Sequence, residues 1–125
     1  MSKKKVLVVD DDPNIVRALA LRLQEDGYDV QAAGDAIQAI MKARQLKPDI
    51  ILLDIMMPAG NGFCVYERLR AFPDCWNTPV IFLTADATEQ SRRKAEKLGA
   101  RFYVTKPYDW NVLSKYIEET LNEST

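Results

Sequence analysis

Three stretches of consecutive apolar residues stand out in the chain, and each of them is followed by polar residues. The stretches are Val6–Val9, Ile50–Leu53 and Val80–Leu83. An apolar run without alternation is typical of a strand that is covered on both faces, as in the middle of a parallel sheet. Pro48 and Pro58 bound the second run. We therefore expect these three segments to form the central strands of one sheet.

Two other short segments have a mixed pattern that is typical of edge strands. Apolar and polar residues alternate over Tyr28–Ala32, and Arg101–Thr105 combines both kinds without a continuous apolar run. A strand that is partly in water carries polar side chains on its wet face. We expect these two segments at the two edges of the sheet.

Segments with helical periodicity fill the intervals between the strands. A polar cap residue precedes a helix where its side chain can accept a hydrogen bond from the first turn, and glycine or proline often marks the end. Five helices are predicted. The first is 13–26, with Asp12 as cap and Gly27 after its end, and the second is 36–46, with Asp35 as cap. The third carries Phe63, Tyr66 and Leu69 and is ended by Pro73, the fourth is 88–98, and the fifth is capped by Asp109 and turns Leu113, Tyr116, Ile117 and Leu121 inward. The fourth helix is the most weakly anchored, because it offers only Ala95 and Leu98 for burial.

The strand order follows from which strands are apolar throughout. Strands that alternate with helices over short connections form right-handed crossovers and a parallel sheet. The order 2-1-3-4-5 places the continuous apolar strands in the middle and the mixed ones at the edges, with helices on both faces. We predict a doubly wound α/β fold in a single domain over residues 1–125, with a core from about residue 5 to residue 121.

Composition limits the classes of function that are open to the chain. The 125 residues are 47% hydrophobic and 28% charged, as in globular domains, and no apolar run approaches the roughly 20 residues of a membrane-spanning helix. With 17 basic and 18 acidic residues the net charge is −1, so the domain as a whole is not drawn to nucleic acid or anionic lipid. We expect a cytoplasmic domain that binds neither nucleic acid nor a membrane directly.

The cysteine and histidine content narrows the chemistry further. Cys64 and Cys75 do not have zinc-finger spacing, and the sequence contains no histidine. These two facts exclude sites in which histidine acts as a catalyst or a metal ligand. We interpret both cysteines as free thiols of a cytoplasmic protein.

Charged and hydroxyl side chains follow four of the predicted strands. Asp10 and Asp11 come after the first strand, Asp54 after the third, Thr84 after the fourth and Lys106 after the fifth. The carboxyl ends of parallel strands lie at one edge of the sheet, and this strand order opens a crevice there between strands 1 and 3. We expect the five side chains to line that crevice.

A crevice of this composition favours a cation and a phosphoryl group. Two carboxylates about 4 Å apart repel by roughly 4 kcal/mol at an effective dielectric near 20. Oxygen ligands without histidine favour Mg²⁺. The ammonium group of Lys106 and the hydroxyl of Thr84 suit a group that carries several anionic oxygens. Asp54 can then be the nucleophile that takes the phosphoryl group as a mixed anhydride.

From end to end the chain resembles the receiver domain of two-component response regulators. The pieces that carry the resemblance are Val-Val-Asp10-Asp11-Asp12-Pro, Asp54-Ile-Met-Met-Pro58 with Gly62, Leu-Thr84-Ala85 and Lys106-Pro107. Together these motifs are highly specific. The resemblance implies a flavodoxin-like fold and a signalling domain that promotes only its own phosphorylation and dephosphorylation, rather than an enzyme that acts on other molecules.

The resemblance also implies roles for individual residues. It makes Asp54 the phosphoacceptor, Asp11 a direct ligand of Mg²⁺, and Asp10 a ligand largely through water. Asp12 matches no catalytic role and stays a helix cap. The further implied roles are metal binding by the backbone carbonyl of Met56, phosphoryl binding by Lys106, a switch hydroxyl on Thr84 and a switch aromatic ring on Tyr103.

The resemblance also implies partners that supply the phosphoryl group and partners that respond to it. A histidine kinase, a phosphotransfer protein or a small phosphodonor would supply the phosphoryl group. The surface of helix 4, strand 5 and helix 5 would signal to an effector domain, a downstream protein or a second copy. That surface carries Arg92, Arg93, Lys94, Tyr108 and Trp110, although for the charges alone a solvated helix face is the alternative. The kinase, the output and the oligomeric state are not encoded in these motifs, nor is the choice between a stand-alone regulator and part of a longer protein.

Other classes of protein fit the sequence less well. A flavin- or nucleotide-binding domain needs a loop rich in glycine, serine or threonine after strand 1, where this chain has three aspartates and a proline. A phosphatase with an aspartyl nucleophile needs an acid or base two residues beyond it, where this chain has Met56. The alternative that stays open is a receiver-like interaction module that works without phosphorylation. Such a module would usually lack Asp11, Asp54 or Lys106, and all three are present.

Overall fold

Five strands alternate with five helices in the part of the chain that the computed structural model describes, residues 3–57 and 60–123. The elements are β1 (Lys5–Val9), α1 (Pro13–Glu25), β2 (Asp29–Ala33), α2 (Ala36–Leu46), β3 (Ile50–Leu53), α3 (Gly62–Leu69), β4 (Val80–Thr84), α4 (Glu89–Leu98), β5 (Phe102–Thr105) and α5 (Trp110–Glu123). Pro58, the predicted boundary of the third strand, lies outside the described residues. No helix within the described ranges has both the length and the apolar character needed to cross a membrane.

All five strands are parallel, and their order is β2-β1-β3-β4-β5. The predicted order and the predicted doubly wound α/β fold are confirmed. In the middle of the sheet Val8 pairs with Leu52, and Leu52 pairs with Ile81. These three side chains are at most 1% exposed. The continuous apolar runs take the central places because only there are both faces of a strand covered.

The core consists of two layers, one on each face of the sheet. Alternate residues of each strand point to opposite faces, so Leu53 packs with α2, α3 and α4, while Leu52 packs with α1 and α5. Leu19 of α1 and Ile117 of α5 are fully buried on the second face. Ala43 of α2 is fully buried on the first. The helices therefore sandwich the sheet, and its carboxyl edge is left for the loops.

The predicted helix caps are present. Oδ1 of Asp12 accepts from Asn14 N at 2.9 Å, and Oδ1 of Asp35 accepts from Gln38 N at 2.8 Å. Oδ1 of Asp109 accepts in the same way from the N–H of the second residue of α5, at 2.8 Å. Each carboxylate binds an N–H group that has no partner inside its helix. Short polar side chains thus define where these three helices begin.

The third helix ends earlier than predicted. We expected Pro73 to end it, but α3 stops at Leu69. The chain then continues in turns, because Sγ of Cys75, which is fully buried, donates to the carbonyl of Leu69 (3.5 Å) and the guanidinium of Arg70 donates to the carbonyl of Cys75 (3.2 Å). Burial of a cysteine six residues later therefore ends this helix, and the proline comes too late to act.

Helix α4 is the most weakly buried helix, as predicted. Ala95 is fully buried in it, and Leu98 is partly buried. Two of its basic residues also lie over aromatic rings of neighbouring elements, Arg92 at 4.8 Å from the ring centre of Tyr103 and Lys94 at 4.7 Å from that of Phe63. Such cation–π contacts add modest stabilisation at partly exposed positions. These two cations therefore hold the helix as well as facing solvent.

Two leucines in α1 test the assignment of the core. Leu19→Ala should lower the free energy of unfolding by about 2–5 kcal/mol, because Leu19 is fully buried and its loss leaves a cavity. Leu21→Ala is the matched control in the same helix: Leu21 is 57% exposed, and its truncation should change stability by less than about 0.5 kcal/mol. Urea unfolding followed by circular dichroism measures both. Equal losses in the two variants would contradict the assignment.

Candidate functional site

Two buried aspartates continue the central strands by one residue. The N–H of Asp54 donates to the carbonyl of Val9 at 2.9 Å, and the N–H of Asp10 donates to the carbonyl of Ala33 at 3.1 Å. The hydrogen-bond pattern of the sheet therefore extends to both residues and fixes their backbones. Asp10 is 4% exposed and Asp54 is 5% exposed. The sheet itself thus holds both carboxylates at its carboxyl edge.

A third carboxylate completes an acidic cluster. Each of Asp10, Asp11 and Asp54 offers one oxygen, and these three oxygens lie within 4.8 Å of one another. Asp11 is exposed, so the cluster opens to solvent on its side. At these distances the carboxylates repel one another, and the repulsion grows as the surroundings become drier. The sequence prediction that these three residues meet is confirmed.

Lys106 lies against two members of the cluster. Its Nζ is 2.5 Å from Oδ2 of Asp10 and 3.4 Å from Oδ2 of Asp54, and its side chain is 14% exposed. Its backbone N–H donates to the carbonyl of Thr84 at 2.8 Å, and its peptide bond to Pro107 is cis. Burial lowers the pKa of Lys106, but the hydrogen bond and charge of Asp10 and the charge of Asp54 outweigh it and raise the pKa above its ordinary value. Lys106 is therefore a fixed cation at neutral pH.

The other oxygen of each buried carboxylate binds a backbone N–H. Oδ1 of Asp10 accepts from Asp12 N at 2.9 Å, and Oδ1 of Asp54 accepts from Met56 N at 3.2 Å. Each buried carboxylate therefore uses one oxygen toward the backbone and turns the other toward Lys106. Met56 is 60% exposed, and it contacts Asp54 through its backbone N–H.

The donor set of the cluster fits a hard divalent cation. Carboxylate oxygens are the ligands that Mg²⁺ and Ca²⁺ prefer, and the three carboxylates carry more negative charge than one ammonium group offsets. The one exposed member, Asp11, leaves a path for water to complete the coordination of an ion. Mg²⁺ usually keeps several of its waters in protein sites, so a cluster with an open side suits it.

The start of α3 lies directly against Asp54. The N–H of Gly62 donates to the carbonyl of Ile55 at 2.8 Å. A Cβ atom on Gly62 would lie 2.3 Å from the backbone oxygen of Asp54 and 2.9 Å from Cα of Ile55. These distances are far below contact distance, and backbone cannot yield as a flexible side chain can. Glycine therefore allows the helix to close over the end of β3.

Thr84 and Tyr103 both form hydrogen bonds with Asp86, a link between them that the sequence did not reveal. Thr84 is fully buried at the end of β4, and its Oγ1 accepts from the N–H of Asp86 at 3.2 Å. The hydroxyl of Tyr103 donates to the carbonyl of Asp86. The ring of Tyr103 lies 6.3 Å from that of Phe82, centre to centre. Asp86 therefore links the two predicted switch residues.

Comparison with known proteins identifies the family. Residues 6–118 match the response regulator receiver domain. The chain belongs to this family. Its acidic cluster and Lys106 stand where the strand order of the receiver fold opens a crevice, at the carboxyl ends of the strands.

Relatives of this receiver domain include proteins of two sizes. The DNA-binding dual master transcriptional regulator RpaA of Synechocystis sp. is 42% identical over 105 residues, which are 84% of this chain and 44% of RpaA. Protein PilH of Pseudomonas aeruginosa is 36% identical over 117 residues, which are 94% of this chain and 97% of PilH. The chain therefore spans about half the length of RpaA, and nearly all of PilH.

A solved receiver domain has the same arrangement of elements. The BeF3-activated N-terminal receiver domain of Klebsiella pneumoniae RstA matches this structure with a TM-score of 0.88 at 28% sequence identity. The match covers 94% of this chain and 98% of that one. The likeness therefore extends over the whole sheet and its helices.

The sequence contained a local signal for the start of α4, but none for the contact between Asp86 and Tyr103. Asp86, Thr88 and Ser91 are short polar residues at the start of α4, and Thr88 caps the helix by accepting from Ser91 N at 3.2 Å. Threonine is a preferred cap residue, because its side-chain oxygen can accept a hydrogen bond from the first turn of the helix. The pattern predicts a cap, but the bond between Asp86 and Tyr103 joins residues that are far apart in sequence and cannot be inferred from it.

Two glycines test the fit of α3 to the site of this receiver domain. Gly62→Ala should lower the free energy of unfolding by about 1–3 kcal/mol, because the new methyl group overlaps the backbone of Asp54. Gly34→Ala is the control, since nothing lies within 4 Å of its Cβ position. It should be neutral or stabilise by up to about 1 kcal/mol by restricting the unfolded chain. Thermal or urea unfolding of both variants measures the difference, and a neutral Gly62→Ala would refute the close contact.

Proposed function

We propose that the domain accepts a phosphoryl group on Asp54 from a histidine kinase, a phosphotransfer protein or a small phosphodonor, and that Mg²⁺ is required. The observation that carries the proposal is the position of Lys106, whose Nζ lies within 3.4 Å of both Asp54 and Asp10 beside the acidic cluster. An acceptor carboxylate, a fixed cation and a set of metal-binding oxygens are the parts that transfer of a phosphoryl group needs.

Asp54 suits the role of nucleophile. Its carboxylate is already the reactive form, so no base has to remove a proton before attack. One of its oxygens bonds to phosphorus while the bond from phosphorus to the donor's nitrogen or acyl oxygen breaks, and the electron pair of that bond leaves with the donor. The hydrogen bond from Met56 N (3.2 Å) holds Oδ1, which keeps the carboxylate in one orientation during the transfer.

The ion pair between Lys106 and Asp10 has a role of its own in this proposal. The ammonium group donates to Asp10 and to Asp54, and it can pass its hydrogen bonds to the oxygens of an incoming phosphoryl group. Asp10 then keeps the ammonium group in place at 2.5 Å. Because Asp10 is buried and Lys106 is largely shielded from solvent, this interaction is screened less than a surface pair and offsets charge at the reacting oxygens.

Asp10, Asp11, Asp54 and the backbone carbonyl of Met56 would hold the Mg²⁺ ion, with Asp10 acting largely through water. The bound ion would neutralise the carboxylates and the phosphoryl oxygens. Lys106 alone provides one positive charge against three carboxylates, which is why a second cation is expected.

The response would appear on the surface made by α4, β5 and α5. Thr84 would donate a hydrogen bond from its hydroxyl to the phosphoryl oxygens. The side chain of Tyr103 would then change position, because it is linked to Thr84 through the residues that both of them contact. This surface would contact an effector domain, a downstream protein or a second copy of the chain, in the cytoplasm. RpaA is named as a DNA-binding regulator, but this chain matches less than half of RpaA, and we propose no direct contact between this domain and DNA.

Mg²⁺ should stabilise the domain through Asp11. At a Mg²⁺ concentration ten times its dissociation constant, the free energy of unfolding should rise by about 1.4 kcal/mol. Asp11→Asn should remove most of this gain and should stabilise the metal-free domain slightly, because one of three repelling charges is lost. Melting curves with Mg²⁺, or with NaCl at equal ionic strength, measure both effects.

The neighbouring aspartate provides the matched control for this experiment. Asp12→Asn removes the same charge at an adjacent exposed position but keeps an oxygen that caps α1. It should respond to Mg²⁺ as the parent does. An Asp11→Asn variant that is stabilised by Mg²⁺ as much as Asp12→Asn would show that Asp11 is not a ligand.

Phosphorylation itself is tested by intact mass. The parent and Asp12→Asn should each gain one phosphoryl group on incubation with Mg²⁺ and an acyl phosphate, and both should gain none in EDTA. Asp54→Asn should gain none under any of these conditions, because its amide is a poor nucleophile. An adduct on Asp54→Asn, or equal phosphorylation in EDTA, would overturn the assignment, and the lack of any adduct on the parent would favour an interaction module that works without phosphorylation.

A further inference from the structure

Asp86 joins three elements of the fold through its own atoms. Its N–H donates to Oγ1 of Thr84 in β4 (3.2 Å), and its carbonyl accepts from the hydroxyl of Tyr103 in β5. Oδ1 accepts from N (3.0 Å) and Oγ1 (2.7 Å) of Thr88, and Oδ2 accepts from Oγ of Ser91 in α4 (2.5 Å). The backbone of Asp86 is thus committed to the sheet, and both oxygens of its side chain are committed to the start of α4.

We propose that Asp86 is the positioning residue that makes α4 move together with Thr84 when the acidic cluster carries a phosphoryl group. This inference rests on the phosphoacceptor function proposed above. It assigns a task to a side chain that neither binds the phosphoryl group nor belongs to the metal cluster. The backbone of Asp86 follows Thr84, and its carboxylate passes that displacement to the first turn of the helix.

Thr84 cannot move without affecting Asp86. Thr84 is fully buried, and its Oγ1 is the acceptor for the N–H of Asp86. If the hydroxyl moves toward phosphoryl oxygens, the N–H of Asp86 must follow or lose this hydrogen bond, and loss of a partly buried bond is unfavourable. The bond from Tyr103 to the carbonyl of Asp86 then draws β5 into the same displacement.

The carboxylate of Asp86 is well suited to transmit this displacement. The hydroxyl of Ser91, and then the N–H and hydroxyl of Thr88, lower the pKa of Asp86 below its ordinary value. The side chain is therefore ionised at neutral pH and accepts all three hydrogen bonds. Hydrogen bonds to an ionised acceptor are shorter and stronger than those between neutral groups. The start of α4 is thus bound to Asp86 more firmly than a single neutral cap would bind it.

Helix α4 is also the element that is able to follow. Ala95 is its one fully buried residue among those described, and Leu98 is partly buried. The remaining contacts include the stacking of Arg92 and Lys94 on aromatic rings, which tolerates sliding better than an interlocked core does. A helix with few buried contacts can be displaced at low cost in free energy.

Ordinary helix capping does not account for this arrangement. Thr88 is already the cap residue of α4, since its Oγ1 accepts from Ser91 N at 3.2 Å. Asp35 shows what a simple cap does: its Oδ1 accepts from Gln38 N in its own helix. Asp86 instead connects the first turn of α4 to residues of β4 and β5. Substitution of Asp35 is therefore a matched control, because it also removes an aspartate at the start of a helix but in another part of the fold.

The test compares amide hydrogen exchange of parent and variants before and after incubation with Mg²⁺ and acetyl phosphate. Intact mass first establishes the fraction of each variant that carries the phosphoryl group. In Asp86→Ala the adduct should form as in the parent, and the change at residue 103 should persist, since the backbone bonds of Asp86 remain. The change over residues 88–92 should be largely lost. Asp35→Ala should keep the full change over residues 88–92.

Two further variants weaken or restore the hydrogen bonds between residue 86 and the start of α4 without removing all of them. Ser91→Ala deletes the hydrogen bond from the hydroxyl of Ser91 to Oδ2 of Asp86 and should reduce the change over residues 88–92 in part. Asp86→Asn should restore most of it relative to Asp86→Ala, because its amide can accept from Thr88 and donate to the hydroxyl of Ser91. If Asp86→Ala is poorly folded, the comparison of Ser91→Ala with the parent decides the matter.

The outcomes separate this inference from the proposed function. Lack of an adduct on the parent would overturn the phosphoacceptor function and this inference with it. A normal adduct on Asp86→Ala together with a parent-like change over residues 88–92 would overturn only the role of Asp86. An equal loss in Asp35→Ala would show that weakening of any helix start has the same effect. An unchanged response in Ser91→Ala would overturn the part assigned to the bond between Ser91 and Asp86.

Discussion

The electrostatic repulsion among three carboxylates at one edge of the sheet is the constraint on which the rest of the site depends. Asp10 and Asp54 are almost fully buried, and the hydrogen-bond pattern of the sheet holds their backbones, so neither can withdraw into solvent. Lys106 offsets part of the charge from a position that is itself fixed by a bond to the end of β4. The site therefore carries an excess of negative charge that a divalent cation can neutralise, and under the proposed function this cation would also offset the anionic oxygens of a phosphoryl group.

The fold separates a rigid chemical site from a loosely held helix. The carboxylates and Lys106 are placed by strand ends, and Gly62 lets α3 close tightly over Asp54. In contrast α4 buries little, and Asp86 and stacked cations hold much of it in place. Under the proposed function, a small change at the strand ends would therefore alter the surface of α4 without disturbing the core.

The relatives indicate how one such domain serves different proteins. RpaA is more than twice as long as the segment that matches this chain, whereas PilH is matched along nearly all of its length. The same arrangement of strands and helices thus occurs inside a longer regulator and in a protein of about this size. Function resides in sites rather than in the fold itself, so the output proposed for this chain would depend on what contacts the surface of α4, β5 and α5.

The sequence by itself determined the sheet, its strand order and the members of the acidic cluster. Strands that are apolar on both faces are covered most fully in the middle of a parallel sheet, and residues that follow such strands meet at its carboxyl edge. Local signals also marked the caps Asp12, Asp35 and Asp109, because a cap depends on neighbours within a few residues. Tertiary structure decided the early end of α3, which depends on the burial of Cys75. It also decided the position of Asp86 between Thr84 and Tyr103, because a hydrogen bond across 17 residues exists only after β4 and β5 have paired.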